Sequence, residues 1–199
     1  MDNHYNHFKK IDAHSHIGKF GSPFNIDFDL NRLTDQMEEY NIEKTILCPA
    51  GCHLNEELKE AYQAAPHKII PLCWVNANEG QEAYDMQEHY LRDENFAGVK
   101  MQPLFDAFTA DSPMVDPIME IAEAYKKPVF IHCGHPPFSL PWQIGLLAER
   151  HPHVPTVMIH MGHGHGVYIE GSLNMAYKYD NLFLGVSGMP MGCQIKNAY

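Results

Sequence analysis

The chain has 199 residues, of which 45% are hydrophobic, and a formal net charge of −11 at pH 7. Nucleic-acid binding requires a basic surface, so this charge argues against such a partner, and no stretch resembles a signal peptide or reaches the about 18 apolar residues of a membrane span. The five cysteines are scattered without CxxC spacing, which indicates neither a disulfide framework nor a zinc ribbon. We therefore expect a cytoplasmic protein that acts on a small molecule. Whether it forms a homo-oligomer is left open.

Strand-like and helix-like segments alternate along the chain. Apolar or β-branched runs of strand length occur seven times, at residues 11–13, 45–49, 69–75, 97–101, 128–132, 156–160 and 182–187. Apolar residues at helical spacing fall at 30–40, 58–65, 83–90, 115–125, 142–150 and 172–179, with Ser112 as the expected N-cap before Pro113. Repeated βα units predict a parallel sheet, and seven units without a dinucleotide-binding fingerprint favour a TIM-type (β/α) barrel over an open sheet.

Histidines follow three of the predicted strands. His14 and His16 lie directly after the first strand, and since residues i and i+2 of an extended strand share a face, their imidazoles converge in a way that suits one divalent cation. The alternative is that they belong only to a polar, histidine-rich N-terminus. Recurrence favours the metal site, because His132 and His160 also close strands and precede glycine-containing loops. The loops after the strands of a barrel hold its active site, so these four histidines would share one catalytic face.

Four segments resemble, in order, those of a known enzyme family. IDAHSHIG, AGVKMQP, PVFIHCGHP and TVMIHMGHG are similar to the amidohydrolase superfamily, specifically the amidohydrolase-2 family related to aminocarboxymuconate-semialdehyde decarboxylase. The resemblance implies a metal-dependent barrel in which His14, His16 and His132 bind one divalent ion, and in which the catalytic His160 orients or polarises water or substrate. Imidazole ligands favour Zn²⁺, with Mn²⁺ and Fe²⁺ as alternatives.

Two further residues are candidates for substrate binding. Lys100 ends a predicted strand, where its ammonium could bind a substrate carboxylate or extend to solvent. His135 could contact substrate beside His132, or belong to an ordinary His-Pro-Pro loop. The pair His163 and His165 follows a Met-Gly loop, so we expect these side chains to line the pocket or face solvent rather than bind metal.

Aromatic and cysteine side chains near the strand ends leave alternatives open. Phe20 and Phe24, in a predicted loop after the first strand, and Trp142 could each cover substrate or simply pack under a loop. Cys133 neighbours His132 in a strand, where adjacent residues point to opposite faces, so we expect it to pack against helices.

One part of the family's site has no counterpart in this sequence. The resemblance implies an aspartate after an eighth strand, in a segment like FGSDxP, whereas the last residues, 194–199, resemble the helix before that strand. Asp180 precedes the seventh strand, at the opposite end from the site. We therefore expect one C-terminally incomplete barrel domain over residues 1–199 that lacks its eighth strand. It would be a fragment, a barrel completed by a partner, or the product of a degraded reading frame.

Three functions follow. The first is a metal-dependent hydrolase that attacks a small carbonyl compound through a metal-activated water. The second is a metal-dependent, non-oxidative decarboxylase with the same ligands, and the third is an inactive fragment. Product analysis separates the first two, and a pocket rich in cations or hydrogen-bond donors for a carboxylate favours the decarboxylase.

Overall fold

The structure, a computed structural model, describes residues 7–21, 25–164, 166–189 and 192–198. These residues form two compact units that divide after Trp74. Phe24 and His165 lie outside the described residues. The expectation of a single domain stays a prediction.

A four-stranded sheet organises the first unit. Its elements are β1 (Lys10–Phe20), β2 (Ile26–Phe28), α1 (Leu30–Glu39), β3 (Ile42–Pro49), α2 (Asn55–Ala64) and β4 (Ile69–Trp74). The strand order is β2-β1-β3-β4; β1 and β2 are antiparallel, and β3 pairs in parallel with β1 and β4. The hairpin strand β2 was not expected. Because β1 continues into this hairpin, Phe20 ends a strand and does not lie in the predicted loop.

Four parallel strands and their helices form the second unit. Its elements are α3 (Gln81–Arg92), β5 (Gly98–Met101), α4 (Pro103–Asp106), α5 (Asp116–Ala124), β6 (Val129–His132), α6 (Pro141–Arg150), β7 (Thr156–Ile159), α7 (Gly166–Lys178), β8 (Leu182–Gly185) and α8 (Gly192–Ile195). The strands lie in the order β5-β6-β7-β8. All seven predicted strands are thus present.

The predicted start of α5 is wrong. The Ser112 side chain makes no capping hydrogen bond, and Pro113–Val115 form a separate 3₁₀ turn before the α-helix begins at Asp116. A proline fixes its own φ near helical values but does not determine whether the turn continues as α or 3₁₀.

Each unit buries its own apolar side chains. In the first unit Leu33 and Met37 form the buried face of α1, and Asp29 caps that helix by accepting a hydrogen bond from the Arg32 N–H at 2.8 Å. In the second unit α3, α5, β6 and α6 contribute fully buried residues, among them Ala83, Ile118, Ile131 and Ile144. Among the described residues, no helix has both the length and the apolar character that crossing a membrane requires.

A buried amide ties α2 to β4. The Asn55 side chain accepts a hydrogen bond from the Trp74 N–H at 2.8 Å and donates one to the Trp74 carbonyl at 2.9 Å. Asn55 is 4% exposed, so removing its amide leaves two backbone groups away from water.

We expect Asn55→Leu to lower the free energy of unfolding by about 2–4 kcal/mol, because two buried backbone groups lose their partners. Denaturant titration followed by circular dichroism measures the change. Asn31→Ala, at an exposed position of α1, serves as the control and should stay within about 0.5 kcal/mol of the parent. Equal stability of the two variants would contradict the structural role of Asn55.

Candidate active site

His14 and His16 lie side by side on β1. The pairing of β1 with β3 slips between Asp12 and Ser15, which marks a β-bulge at the start of the histidine pair. Despite the bulge, the two ring centroids are 4.8 Å apart and the rings stand nearly perpendicular. The structure therefore brings together the two imidazoles that the sequence placed on one face.

Backbone and side chains around β1 orient this pair. The His16 Nδ1–H donates a hydrogen bond to the Pro49 carbonyl at the end of β3, at 2.9 Å, so the lone pair of the neutral ring lies on Nε2. The Asp12 carboxylate accepts a hydrogen bond from the His14 backbone N–H at 3.2 Å. Burial raises the pKa of Asp12, although hydrogen bonds from His14 and Ser15 act in the opposite direction. The thiol of Cys48 lies 3.8 Å from His16 Nε2.

Four histidines gather at the carboxyl ends of β6 and β7. This histidine cluster consists of His132, His135, His160 and His163, whose ring centroids lie 4.5–5.6 Å apart in five pairs. Nε2 of His132 and Nδ1 of His135 share a hydrogen bond of 2.7 Å. His163 is exposed and packs against the other three rings. It also forms, with His132 and His135, a group that could hold a metal ion, so the expectation that His163 does not bind metal stays a prediction.

His160 leaves the sheet in an unusual backbone conformation. Its φ is +70°, a left-handed value that side chains rarely adopt, and Met161, Gly162 and His163 also have positive φ. The His160 Nδ1–H donates to the Ser187 carbonyl at 2.6 Å, just beyond β8. Burial lowers the pKa of His160 to about 4, aided by the positive charge of Lys100 and opposed by the Ser187 hydrogen bond.

Lys100 is fully buried in β5. It pairs with Phe130 of β6, which lies two residues before His132, so register places Lys100 and His132 on one face of the sheet. Burial, together with the charge of Lys100, lowers the pKa of His132 far below its usual value. The alternative that Lys100 extends its ammonium to solvent is therefore wrong.

Two glycines let the loops after β6 and β7 approach each other. Gly134 has a φ of +102°, and a Cβ added there would lie 2.5 Å from the Gly162 carbonyl carbon. Gly162, with a φ of +93°, is likewise packed against the backbone of Tyr168 and Ile169. Only glycine allows this close backbone contact, which brings His135 and His163 together.

The remaining candidates differ in exposure, since Cys133 is buried and Trp142 is 39% exposed. Cys133 is fully buried with its Sγ 3.9 Å from the Ser172 hydroxyl of α7, so it packs against a helix as expected, and burial raises its pKa to about 12. Trp142 of α6 contacts the Tyr168 ring of α7, whereas Phe20 lies edge-on to His16 at 5.2 Å. Cys48 and Ser187 were not predicted as site residues, although the position of Cys48 at the end of a predicted buried strand was a signal for it.

The amidohydrolase (Amidohydro_2) family profile matches residues 11–197. The chain belongs to this family. The predicted resemblance to the amidohydrolase-2 family is therefore confirmed over nearly the whole length of this chain. No curated protein sequence matches it.

Solved structures share the fold at low sequence identity. An uncharacterized TIM-barrel protein from Bordetella bronchiseptica has a TM-score of 0.73 and 17% identity, over 90% of this chain and 75% of that one. The 5-carboxyvanillate decarboxylase of Novosphingobium aromaticivorans, complexed with manganese and 4-hydroxy-3-methoxy-5-nitrobenzoic acid, has a TM-score of 0.73 and 14% identity, over 97% and 82%. A probable 2-pyrone-4,6-dicarboxylic acid hydrolase from Acinetobacter baumannii, with citric acid bound, has a TM-score of 0.70 and 16% identity, over 96% and 76%. These similarities confirm the TIM-type barrel fold of the amidohydrolase-2 chain.

We expect Gly134→Ala to destabilise the protein by about 2–5 kcal/mol, because the new methyl group adds a backbone clash to an unfavourable φ. Thermal unfolding measures the loss. Gly80→Ala is the matched control: its φ is also positive, at +57°, but no atom lies within 4 Å of the added Cβ. That variant should lose less than Gly134→Ala, because it adds an unfavourable backbone conformation without a clash, and equal losses would rule out a clash between the two loops.

Proposed function

We propose that this amidohydrolase-2 protein is a metal-dependent hydrolase of a small carbonyl compound. In this proposal His14, His16 and His132 hold one divalent ion, and His160 accepts a proton. The bound ion supplies an acidified water and a Lewis acid that polarises a carbonyl oxygen. Lys100 and His135 bind the substrate.

The histidines are suited to hold such an ion. Metal ions bind neutral imidazoles, and burial together with Lys100 keeps His132 in that form. The His16 ring is oriented by the Pro49 carbonyl, the kind of outer hydrogen bond that metal-binding histidines usually make. The rings of His14 and His16 are close enough to share an ion after small side-chain rotations.

The hydrogen bond of His160 is the observation that carries the assignment to hydrolysis. Because the Ser187 carbonyl accepts the Nδ1–H at 2.6 Å, the proton of the neutral ring is on Nδ1 and the lone pair is on Nε2. A ring fixed in this tautomer is ready to take a proton from water at Nε2 and to pass it on to a leaving group.

Lys100 supports a substrate that carries a carboxylate. A fully buried ammonium lies on the face of the sheet shared with His132, and its charge acts on the imidazoles of both His132 and His160. The Lys100 ammonium would attract an anionic group placed there more strongly than it would in water, because the buried surroundings screen its charge weakly. His135, hydrogen-bonded to His132, lies at the mouth of the same cluster and offers a second contact.

Decarboxylation is the second candidate, and the same buried lysine favours it. A cation beside the proposed metal site suits a carboxylic acid substrate, and 5-carboxyvanillate decarboxylase shares the fold. For the ion itself we propose Zn²⁺, since three imidazoles suit it, although that decarboxylase structure contains manganese. The five cysteines, all within the described residues, form no disulfide, which supports our proposal of a cytoplasmic location.

Metal content tests the ligand assignment. The purified chain without an affinity tag should contain close to one divalent ion per molecule, and the His14→Ala, His16→Ala double variant should contain almost none. Elemental analysis measures both. The His67→Ala, His153→Ala double variant removes two exposed histidines and should retain the metal. Unchanged metal in the first double variant would remove His14 and His16 from the site.

Turnover tests the role of His160. On a panel of small amides, lactones and aromatic carboxylic acids, His160→Gln should lower kcat by about 10²- to 10⁴-fold, because a general base is lost, while the metal content stays unchanged. His153→Gln, at an exposed position, is the control. Analysis of the products for carbon dioxide distinguishes decarboxylation from hydrolysis. Full activity of the His160→Gln variant would exclude His160 as the general base.

A further inference from the structure

A cysteine thiol lies beside the histidine pair of β1. Cys48 is fully buried near the end of β3, directly opposite His16 in the parallel register. Its Sγ lies 3.5 Å from His16 Nδ1 and 3.8 Å from Nε2. One ligand atom each from His14, His16 and Cys48 lies within 4.8 Å of the other two. All three residues belong to the first compact unit.

The distance between Cys48 and His16 suits a shared ion. With Zn–N at about 2.0–2.1 Å and Zn–S at about 2.3 Å, tetrahedral geometry separates the two ligand atoms by about 3.6 Å. The observed 3.8 Å from Sγ to Nε2 is close to this value, but Sγ lies nearer to Nδ1, at 3.5 Å, so the ring or the thiol must rotate before Nε2 and Sγ point at one ion. The neutral His16 ring carries its lone pair on Nε2, because Nδ1 donates to the Pro49 carbonyl. The three ligand atoms lie within 4.8 Å of one another, a span that side-chain rotation can reduce to tetrahedral distances.

The surroundings of Cys48 differ from those of the other buried cysteine in this unit. Cys48 donates a weak hydrogen bond to the Ser15 carbonyl at 3.3 Å and also contacts the His16 ring. Cys73 offers a comparison, because it is equally buried in β4 of the same unit. Among the described residues, no potential metal-binding group includes Cys73, whereas Cys48 forms one with both histidines of β1.

We propose that the Cys48 thiolate is a ligand of the divalent ion held by His14 and His16, and that it makes this site select Zn²⁺ over Mn²⁺. The inference rests on the metal site of the proposed function and deepens it. The thiol proton passes to solvent when the metal binds. Thiolate is a soft ligand that suits Zn²⁺, whereas Mn²⁺ prefers carboxylate, carbonyl and water oxygens.

Cobalt substitution tests the proposal on the full chain. Co²⁺ added to the metal-free protein should produce a near-ultraviolet sulfur-to-cobalt charge-transfer band in the parent and in Cys73→Ala. Cys48→Ala should lose this band, and its Zn²⁺ affinity should fall by at least about 10-fold, since removal of even outer-shell partners costs 10–100-fold. Its Mn²⁺ affinity should change much less.

X-ray absorption of the zinc-loaded parent gives a second measurement that needs no variant. One Zn–S distance of about 2.3 Å supports the thiolate ligand. Stoichiometric metal with nitrogen and oxygen ligands alone, or a charge-transfer band that persists in Cys48→Ala, overturns the inference while leaving the histidine site intact. A parent chain that binds neither Co²⁺ nor Zn²⁺ overturns both the inference and the proposed function.

Discussion

The backbone turn at the end of β7 is the constraint on which the histidine cluster depends. His132 pairs with Ile159, so strand alternation alone would turn the next residue, His160, to the opposite face of the sheet. The left-handed φ of +70° at His160 ends the strand, and the two ring centroids lie 4.9 Å apart. The glycines two positions after each histidine, Gly134 and Gly162, then let the following loops fold against each other.

Burial gives this cluster its electrostatic character. It lowers the pKa of His132 and His160, because a protonated ring is poorly solvated in the interior, and the positive charge of Lys100 acts in the same direction. These two rings are thus kept neutral, the form in which an imidazole can bind a metal ion or accept a proton. In the proposed function, the charge of Lys100 also attracts an anionic substrate.

The sequence predicted the elements better than their connections. The seven core strands and six of the helices have clear apolar periodicity, and the structure contains all of them. The hairpin strand β2 has only three residues, Ile26–Phe28, which is too short for a period to be recognised. The 3₁₀ turn at Pro113 depends on how α5 packs, which local propensity does not report.

The candidate residues were predictable, but their contacts were not. Histidines at strand ends can be recognised from the pattern of apolar runs, and so can Lys100. Its complete burial could not be inferred, since a lysine at a strand end is as compatible with solvent as with the interior. The partners Cys48 and Ser187 belong to neighbouring strands or their ends, so their contacts depend on register, which a single sequence specifies only weakly.

In each compact unit a backbone carbonyl orients one imidazole ring. His16 donates its Nδ1–H to the carbonyl of Pro49, at the end of the strand paired with β1, and His160 donates its own to the carbonyl of Ser187, just after the strand paired with β7. Parallel strands end at a common edge, where their last carbonyls lack ladder partners and can accept from a neighbouring side chain. The backbone thereby fixes both tautomers with Nε2 unprotonated, and no acidic side chain is needed to orient either ring. His132 differs, because its Nε2 already bonds to His135 at 2.7 Å. If His132 is a ligand through Nε2, as the proposed function has it, its hydrogen bond to His135 would have to break, so a metal ion and the His135 ring would compete for one nitrogen.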